Sequence, residues 1–298
     1  MISPASVKDR IKKLSREQGT VFQDDLTKYC LERVMFRLSV SKYEKEFILK
    51  GGIFLYALFG GNYPRATKDI DFLVMDEKYN KEKIHEIFLE IIKIQSDDGL
   101  TFDIDSYSSK LITEFKDYPG VNISFYAFLD KTRIKISIDV GFSDTIYPEK
   151  LILDFPTVLN MDTINVYAYS IETVIAEKFE SIVQLGNANS RFKDFFDIYE
   201  LCLTHSFQGE ILKQAIIETF ENRETDFDDI VAFSKEFSLD ERRNKQWNAA
   251  IRKKHAEKSP KFVDVLETIK RFLEPICNAI VSGKMFDRYW NYHDKKWE

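Results

Sequence analysis

The sequence has little cysteine and no long apolar run. Its three cysteines, Cys30, Cys202 and Cys277, lie far apart and form no CxxC motif, which predicts reduced core residues rather than a disulfide framework or a zinc site. No stretch approaches the roughly 18 apolar residues that a membrane span needs. The first residues also lack the apolar core of a signal peptide. We therefore expect a cytoplasmic protein that does not enter a membrane.

An excess of positive charge is also absent. Lysine and arginine number 43 against 49 aspartates and glutamates, a formal net charge of −6. This balance argues against a surface coated in basic residues for nucleic acid, but it leaves a local basic patch open. The chain is rich in apolar residues, which make up 44%, with 25 phenylalanines. That content excludes global disorder, and 298 residues permit one large domain or two smaller ones.

A short apolar run with two acids is the first candidate for chemistry. Residues 69–74 read DIDFLV. Because side chains alternate faces along a strand, Asp69 and Asp71 point the same way while Ile70 and Phe72 point into the core. Two neighbouring carboxylates repel each other, so the pair is a candidate ligand set for Mg²⁺ ions that also hold the phosphates of a nucleoside triphosphate. The alternative is a strand with one solvated face.

Glycines precede this strand, at the start of an apolar run that is predicted to be helical over residues 53–59. Glycines there let backbone N–H groups approach an anion at the positive end of a helix. A polar loop with a hydroxyl and a cation then leads into the acidic strand. This order predicts a phosphate cradle followed by a metal site. The residues assigned to the cradle are Lys50, Gly51, Gly52, Arg65 and Thr67.

The periodicity of apolar residues divides the rest of the chain. Helical spacing predicts helices over residues 7–18 with Ser6 as N-cap, from Asp24 or Asp25 onward, and over 80–93. Alternation predicts strands over residues 100–107, 121–129, 133–140 and 164–169, with a connection at 148–163. From Ser170 the pattern is helical. The predicted fold is α/β (α+β), a mixed sheet with flanking helices followed by an α-helical C-terminal half, divided into domains 1–165 and 166–298.

Other charged residues allow two interpretations. Asp139 shares a strand face with Lys135 and Ser137, and from the strand alone a surface aspartate is favoured. Lys178 follows Glu177 on a predicted helix, and from the sequence alone it is explained as an exposed lysine in a salt bridge. Asp194 and Asp197 share a helical face with Arg191 before them, which an intrahelical ion-pair ladder would explain.

A locally basic stretch, residues 235–261, contains Trp247. Basic residues interleaved with an aromatic could contact an RNA backbone and stack on a base. The commoner explanation is a solvated helix face. The role of this stretch is left open.

Two separate segments resemble one family. The first reads KGG, a short helix and then RATKDIDF, and the second pairs EK at Lys178 with RFKDFFDIYEL from Arg191. Together they resemble the AbiEii/AbiGii group of nucleotidyltransferase toxins, within the DNA polymerase β-like superfamily. The resemblance covers roughly residues 45–255.

The resemblance implies a metal-dependent transfer of NMP from an NTP to an acceptor hydroxyl. It implies that Asp139, with Asp144 in reserve, joins Asp69 and Asp71 as ligands of Mg²⁺ or Mn²⁺. It further implies that Lys178 reaches the triphosphate and that Asp194 helps to position it. Such a protein is the toxin of a bacterial toxin–antitoxin or abortive-infection (phage defence) pair, with a cognate antitoxin and an acceptor such as the 3′ end of a tRNA. The alternatives are a nucleotide-binding relative without turnover and an enzyme that modifies a protein or small-molecule hydroxyl.

Overall fold

The structure, a computed structural model, divides the chain into two compact units. The first comprises Met1–Asp144 and Lys150–Tyr169, and the second comprises Thr145–Glu149 and Ser170–Glu298. That residues 1–165 and 166–298 are separate domains stays a prediction. The structure describes residues 2–64, 67–76, 78–112, 120–142, 144–227, 230–252 and 260–298.

The first unit is a mixed sheet with flanking helices, as predicted. Its described elements are α1 (Pro4–Gln18), α2 (Phe22–Ser39), β1 (Ile48–Lys50), α3 (Gly51–Leu58), β2 (Asp69–Val74), α4 (Lys81–Ile92), β3 (Leu100–Ile112), β4 (Gly120–Leu129), β5 (Thr132–Phe142), β6 (Leu151–Asp154) and β7 (Asn165–Ala168). Within the described residues the seven strands lie in the order β3-β4-β5-β2-β1-β7-β6. Strands β2 and β5 run parallel, whereas β1 is antiparallel to β2. The acidic strand β2 is therefore central in the sheet.

Strand β2 alternates as its sequence predicts. Ile70 and Phe72 are buried, Asp69 is exposed and Asp71 is half-buried. The ring of Phe72 packs on Phe47 at 5.7 Å between centroids. Burial of these apolar side chains, each worth roughly 1.5–3 kcal/mol, fixes which face of the strand carries the acids.

Helix α2 is held by two buried arginines. Arg33 donates to carboxylate oxygens of Asp98 at 3.0 Å and Asp162 at 2.6 Å, and Arg37 donates to Asp98 at 2.6 Å. Buried charges are tolerated only when they are paired in this way. The contacts tie α2 to the segments that lead into β3 and β7.

Three local predictions are wrong. Helix α2 begins at Phe22, with Val21 as its N-cap, and not at Asp24 or Asp25. Ser3, not Ser6, caps α1, because Pro4 occupies the first helical position and Ser3 Oγ accepts the N–H of Ser6. The predicted connection at 148–163 contains the edge strand β6, which pairs with β7. None of the four residues of β6 is buried, and Ile152 is 64% exposed. The strand therefore lacks the apolar alternation that reveals a half-buried strand.

The second unit is largely helical, as predicted, and adds one small sheet. Its described elements are α5 (Ile171–Leu185), α6 (Phe192–Thr204), β8 (Phe207–Gln208), α7 (Gly209–Asn222), α8 (Lys235–Leu239), α9 (Glu241–Arg252), α10 (Phe262–Val281), β9 (Tyr289–Asn291) and β10 (Lys296–Trp297), besides two short 3₁₀ turns. The strands β8, β9 and β10 have only two or three residues, too few for a sequence pattern. In the part of the chain that the structure describes, no helix has the length and apolar character to span a bilayer.

The burial of Trp247 excludes the proposed stacking on an RNA base. Its side chain is 0% exposed and its Nε1 donates to the carbonyl of Pro260 at 2.9 Å. The indole packs on Phe262 at 5.0 Å between centroids. Trp247 is therefore a core residue of the second unit. Residues 253–259 of the basic stretch lie outside the described residues.

Candidate active site

One row of polar side chains crosses the sheet of the first unit. Asp71 of β2 pairs in register with Asp139 of β5, and Asp139 pairs with Asn122 of β4. Neighbouring strands lie about 4.8 Å apart, and paired residues face the same side of a sheet. The sheet therefore brings Asp71 and Asp139 together although they are far apart in sequence. We call Asp71, Asp139 and Asn122 the carboxylate row.

The side chain of Asp139 is oriented by its neighbour in the carboxylate row. Asn122 Nδ2 donates to Asp139 Oδ1 at 2.6 Å and to Ser137 Oγ at 2.9 Å. Ser137 in turn pairs with Asp69 of β2, two residues before Asp71. All three predicted acids thus lie on one face of adjacent strands. Asn122 is a site residue that the sequence motifs did not reveal.

The start of α3 lies against the carboxylate row. Gly51, the first residue of α3, has φ +69°, and a Cβ at this position would lie 2.6 Å from Cγ of Asp71. Any larger residue would therefore displace Asp71 and strain the backbone. The first N–H groups of a helix lack intrahelical partners, so those of Gly51 and the buried Gly52 are candidates for binding phosphate.

The other residues of the predicted phosphate cradle have mixed surroundings. Lys50 pairs in register with Asp71, and its Nζ contacts Asp144 Oδ2 at 2.6 Å and the Tyr169 hydroxyl at 3.1 Å. Asp144, the reserve for the third acid, lies beyond the end of β5 and forms this ion pair. Asp139, by contrast, is in register with Asp71, so the structure favours Asp139 as the third acid. Thr67 Oγ1 donates to the carbonyl of Asp69 at 3.2 Å. Arg65 lies outside the described residues.

A divalent cation fits these residues by the chemistry of its donors. Among the described residues, no group of three or more His, Cys, Asp and Glu side chains is arranged to hold a metal ion by itself. Mg²⁺ is usually held by one or two carboxylates, several waters and the phosphates of its substrate, rather than by an all-protein cage. The pair Asp71 and Asp139, with Asp69 two residues before Asp71, supplies such carboxylates. The set therefore suits a cation that arrives with a nucleotide.

A second cluster lies within the second unit, between α5 and α6. Lys178 Nζ lies 3.0 Å from Asp194 Oδ1 and 2.7 Å from Asp197 Oδ2. Arg191 Nε contacts Asp194 Oδ2 at 2.7 Å, as an intrahelical pair would. The side chain of Lys178 is only 12% exposed, so the alternative of an exposed surface lysine is wrong. Two buried aspartates hold one ammonium group in place.

The pKa of Asp194 reflects this cluster. Burial alone would raise the pKa, but the charges of Lys178 and Arg191 outweigh burial and hold the pKa of Asp194 below its usual range. A lowered folded-state pKa adds stability above the ordinary aspartate value of about 3.9, and this stability is lost as the pH falls through the folded-state value.

The Asp194→Asn variant should therefore lose stability at neutral pH and be less sensitive to acid. We expect the free energy of unfolding to fall by about 3 kcal/mol at pH 7, because the variant leaves Lys178 with one partner fewer. Urea unfolding across pH should show this difference constant above about pH 5 and shrinking below about pH 4. Asp226→Asn, at an exposed position, is the control. A difference that does not shrink in acid would show that the charge of Asp194 is not the source of this stability.

The fold and the carboxylate row define a class of protein. A mixed sheet with an acidic pair on one strand, a third acid beside it and a glycine-led helix against them is the arrangement that the resemblance to nucleotidyltransferases predicts. The family model described as "Nucleotidyl transferase AbiEii toxin, Type IV TA system" matches residues 33–268. The chain belongs to this family of nucleotidyltransferase toxins, whose members are paired with an antitoxin.

Two solved structures resemble the chain over most of its length. One, a protein of H. pylori described as a nucleotidyltransferase, has 12% sequence identity and a TM-score of 0.49, and the match covers 89% of this chain and 99% of the other. The second, JHP933 from Helicobacter pylori, has 12% identity and a TM-score of 0.46, with coverages of 87% and 97%. Among curated proteins, no sequence match was found.

Proposed function

We propose that the protein transfers an NMP from an NTP to an acceptor hydroxyl at the carboxylate row, with Mg²⁺ or Mn²⁺ as the cofactor. The observation that carries this proposal is the register of Asp71 with Asp139 in parallel strands. It supports a shared role for two acids that lie far apart in the sequence. Asp69, on the same face of β2, completes the proposed ligand set.

Each residue of the site has a proposed task. A bound divalent cation supplies charge neutralisation for the triphosphate and lowers the pKa of the acceptor hydroxyl. Asp139, oriented by Asn122, accepts the proton of that hydroxyl. The N–H groups of Gly51 and Gly52 bind phosphate oxygens at the start of α3. The remaining cradle residues, Lys50, Arg65 and Thr67, donate to the same triphosphate.

The family motif assigns Lys178 to the triphosphate and Asp194 to its orientation. The geometry within the second unit supports the second half of this assignment, because Asp194 and Asp197 fix the ammonium of Lys178. A fixed ammonium stabilises charge that grows as pyrophosphate departs, without reorganisation during the reaction.

Lys178→Gln should therefore raise KM for NTP and lower kcat, with kcat/KM reduced by about a hundredfold. Steady-state kinetics measure the effect, and Lys193→Gln on the exposed side of α6 is the control. Lys178→Arg keeps the charge and should restore part of the rate. A Lys178→Gln variant with lowered thermal stability but unchanged KM and kcat would assign the lysine a structural role only.

The proposed acceptor is RNA, with the 3′ end of a tRNA as the preferred candidate. A toxin that blocks this end would halt translation, which accounts for a partner antitoxin and for a role in abortive infection and phage defence. The test is incubation with each α-labelled NTP in turn and total tRNA, followed by gel analysis. Label on the tRNA is expected. Label on protein or on a small molecule would instead identify that molecule as the acceptor. No label at all would indicate a nucleotide-binding relative without turnover.

A further inference from the structure

One face of β4 and β5 extends from the carboxylate row and is lined by aromatic, basic and hydroxyl side chains. Along β4 and β5, Ser124 pairs with Ser137, Tyr126 with Lys135, and Phe128 with Arg133. The alternate residues of the same strands, such as Ile123 and Ile136, are buried. We call the face defined by Ser124, Tyr126, Phe128, Arg133, Lys135 and Ser137 the sheet platform.

The buried side of this hairpin faces helices of the same unit. Phe125 contacts Phe102, whose ring lies 4.7 Å from the guanidinium of Arg37 in α2. Tyr107 contacts Phe125 and donates to the carbonyl of His85 in α4. On the sheet platform, by contrast, Arg133 and Lys135 are exposed and the other four residues are half-buried. The platform is therefore the solvated side of the hairpin.

The charges of the sheet platform are available to an anion. Neither Arg133 nor Lys135 forms an ion pair with any acid in the described part of the chain. The guanidinium of Arg133 stacks on Tyr126, 3.9 Å from the ring centroid. Two acids lie in register with platform residues. Asp103 of β3 pairs with Tyr126 at the sheet edge, where its Oδ1 accepts the N–H of Asp105. Asp69 of β2 pairs with Ser137 at the end next to the carboxylate row.

We propose that the sheet platform binds single-stranded RNA and leads its 3′ end to Asp139. Proteins that bind single strands combine cations for the phosphates with aromatic rings on which bases stack, often on the face of a sheet. Arg133 and Lys135 supply the cations, Tyr126 and Phe128 supply the rings, and Ser124 and Ser137 can hydrogen-bond 2′-hydroxyls. A protein partner would instead favour an apolar centre depleted of charge.

The geometry gives the platform a direction. Ser137, Lys135 and Arg133 follow each other at intervals of two residues back from Asp139, so Arg133 lies about 20 Å from Asp139 along β5. A strand of RNA laid along this line would have its end at the carboxylate row. This inference rests on the proposed transfer of NMP to RNA. It assigns the stacking of RNA bases to accessible residues instead of the buried Trp247.

Binding can be measured apart from catalysis. The probe is a fluorescein-labelled single-stranded RNA oligonucleotide, titrated by anisotropy in EDTA without NTP over a salt series. Arg133→Glu/Lys135→Glu should weaken binding at least about tenfold and reduce the slope of log K against log salt by about 1.4, or 0.7 for each phosphate that the protein no longer neutralises. Tyr126→Ala should weaken binding about tenfold because a base can no longer stack there, with little change in slope.

The matched control is Lys93→Glu, an exposed charge reversal at the end of α4, which packs on the covered side of the hairpin. Its RNA affinity should stay within about twofold of the unmodified protein once long-range charge is screened by salt. The platform is overturned if the unmodified protein does not bind the RNA. It is also overturned if the double variant binds as tightly as Lys93→Glu.

Transfer assays on the same variants separate this inference from the proposed function. If RNA is labelled by the unmodified protein and equally well by the double variant, the platform is wrong and the proposed function stands. If the unmodified protein binds RNA through these residues but transfers no NMP, the proposed function fails and the platform stands. Binding and transfer that fall together in the double variant, but not in Lys93→Glu, support both.

Discussion

The Asp71→Asn variant is expected to lose NMP transfer by about a thousandfold or more while its fold remains intact. The substitution keeps the shape of the side chain but removes the charge that would hold a cation beside Asp139, and an interaction of this kind is worth several kcal/mol in the transition state. Asp139→Asn should have an effect of similar size, because the two acids share one register. Growth inhibition by the expressed toxin should disappear with the activity.

Asp105→Asn is the matched control for this prediction. Asp105 is an exposed acid of β3 in the same sheet, and its loss should leave transfer unchanged. Thermal unfolding should show a cooperative transition for Asp71→Asn, since asparagine keeps the shape of this half-buried side chain. A variant in which both Asp71 and Asp139 are Asn, yet transfer proceeds at the original rate, would refute the site.

Gly51→Ala should also abolish transfer, for a steric reason. The added Cβ would overlap the carboxylate of Asp71, and the residue would have to keep φ +69°. The left-handed backbone costs about 1–2 kcal/mol for a residue with a side chain. Transfer is lost because Asp71 is displaced from the carboxylate row.

Gly60→Ala separates these two effects. Gly60 has a similar φ of +58°, but nothing lies within 4 Å of an added Cβ. Gly51→Ala should therefore lose at least as much stability as Gly60→Ala in thermal unfolding, and only Gly51→Ala should lose transfer. Equal activity in the two variants would show that Asp71 does not need its present position.

Local features of the site could be predicted from the sequence because they depend on neighbours in the chain. The faces of β2 follow from a period of two, and Asn80 caps α4 through the N–H of Lys83 as its residue type suggests. The pairing of Asn122 with Asp139 was also within reach. Leu129 pairs with Thr132 across a two-residue turn, and counting back equally along both strands joins Asn122 to Asp139.

Other features depend on contacts that no local pattern encodes. The parallel pairing of Asp71 with Asp139 joins strands separated by a helix and a hairpin, and register over such a distance is set by packing. The burial of Lys178 depends on a second helix that brings Asp197 to it, and the burial of Trp247 depends on Phe262 and Pro260. The sequence identified these residues but not which of them would be covered.

The most direct test of nucleotidyl transfer is a parallel reaction with α-labelled and γ-labelled NTP, using tRNA as the acceptor and Mg²⁺ as the cofactor. We expect α-label to appear on the RNA and an equal amount of γ-label to be released as pyrophosphate. EDTA and Asp71→Asn should abolish both signals, and Asp105→Asn should abolish neither. Appearance of γ-label on the acceptor, or release of inorganic phosphate without labelling of any acceptor, would contradict nucleotidyl transfer at the carboxylate row.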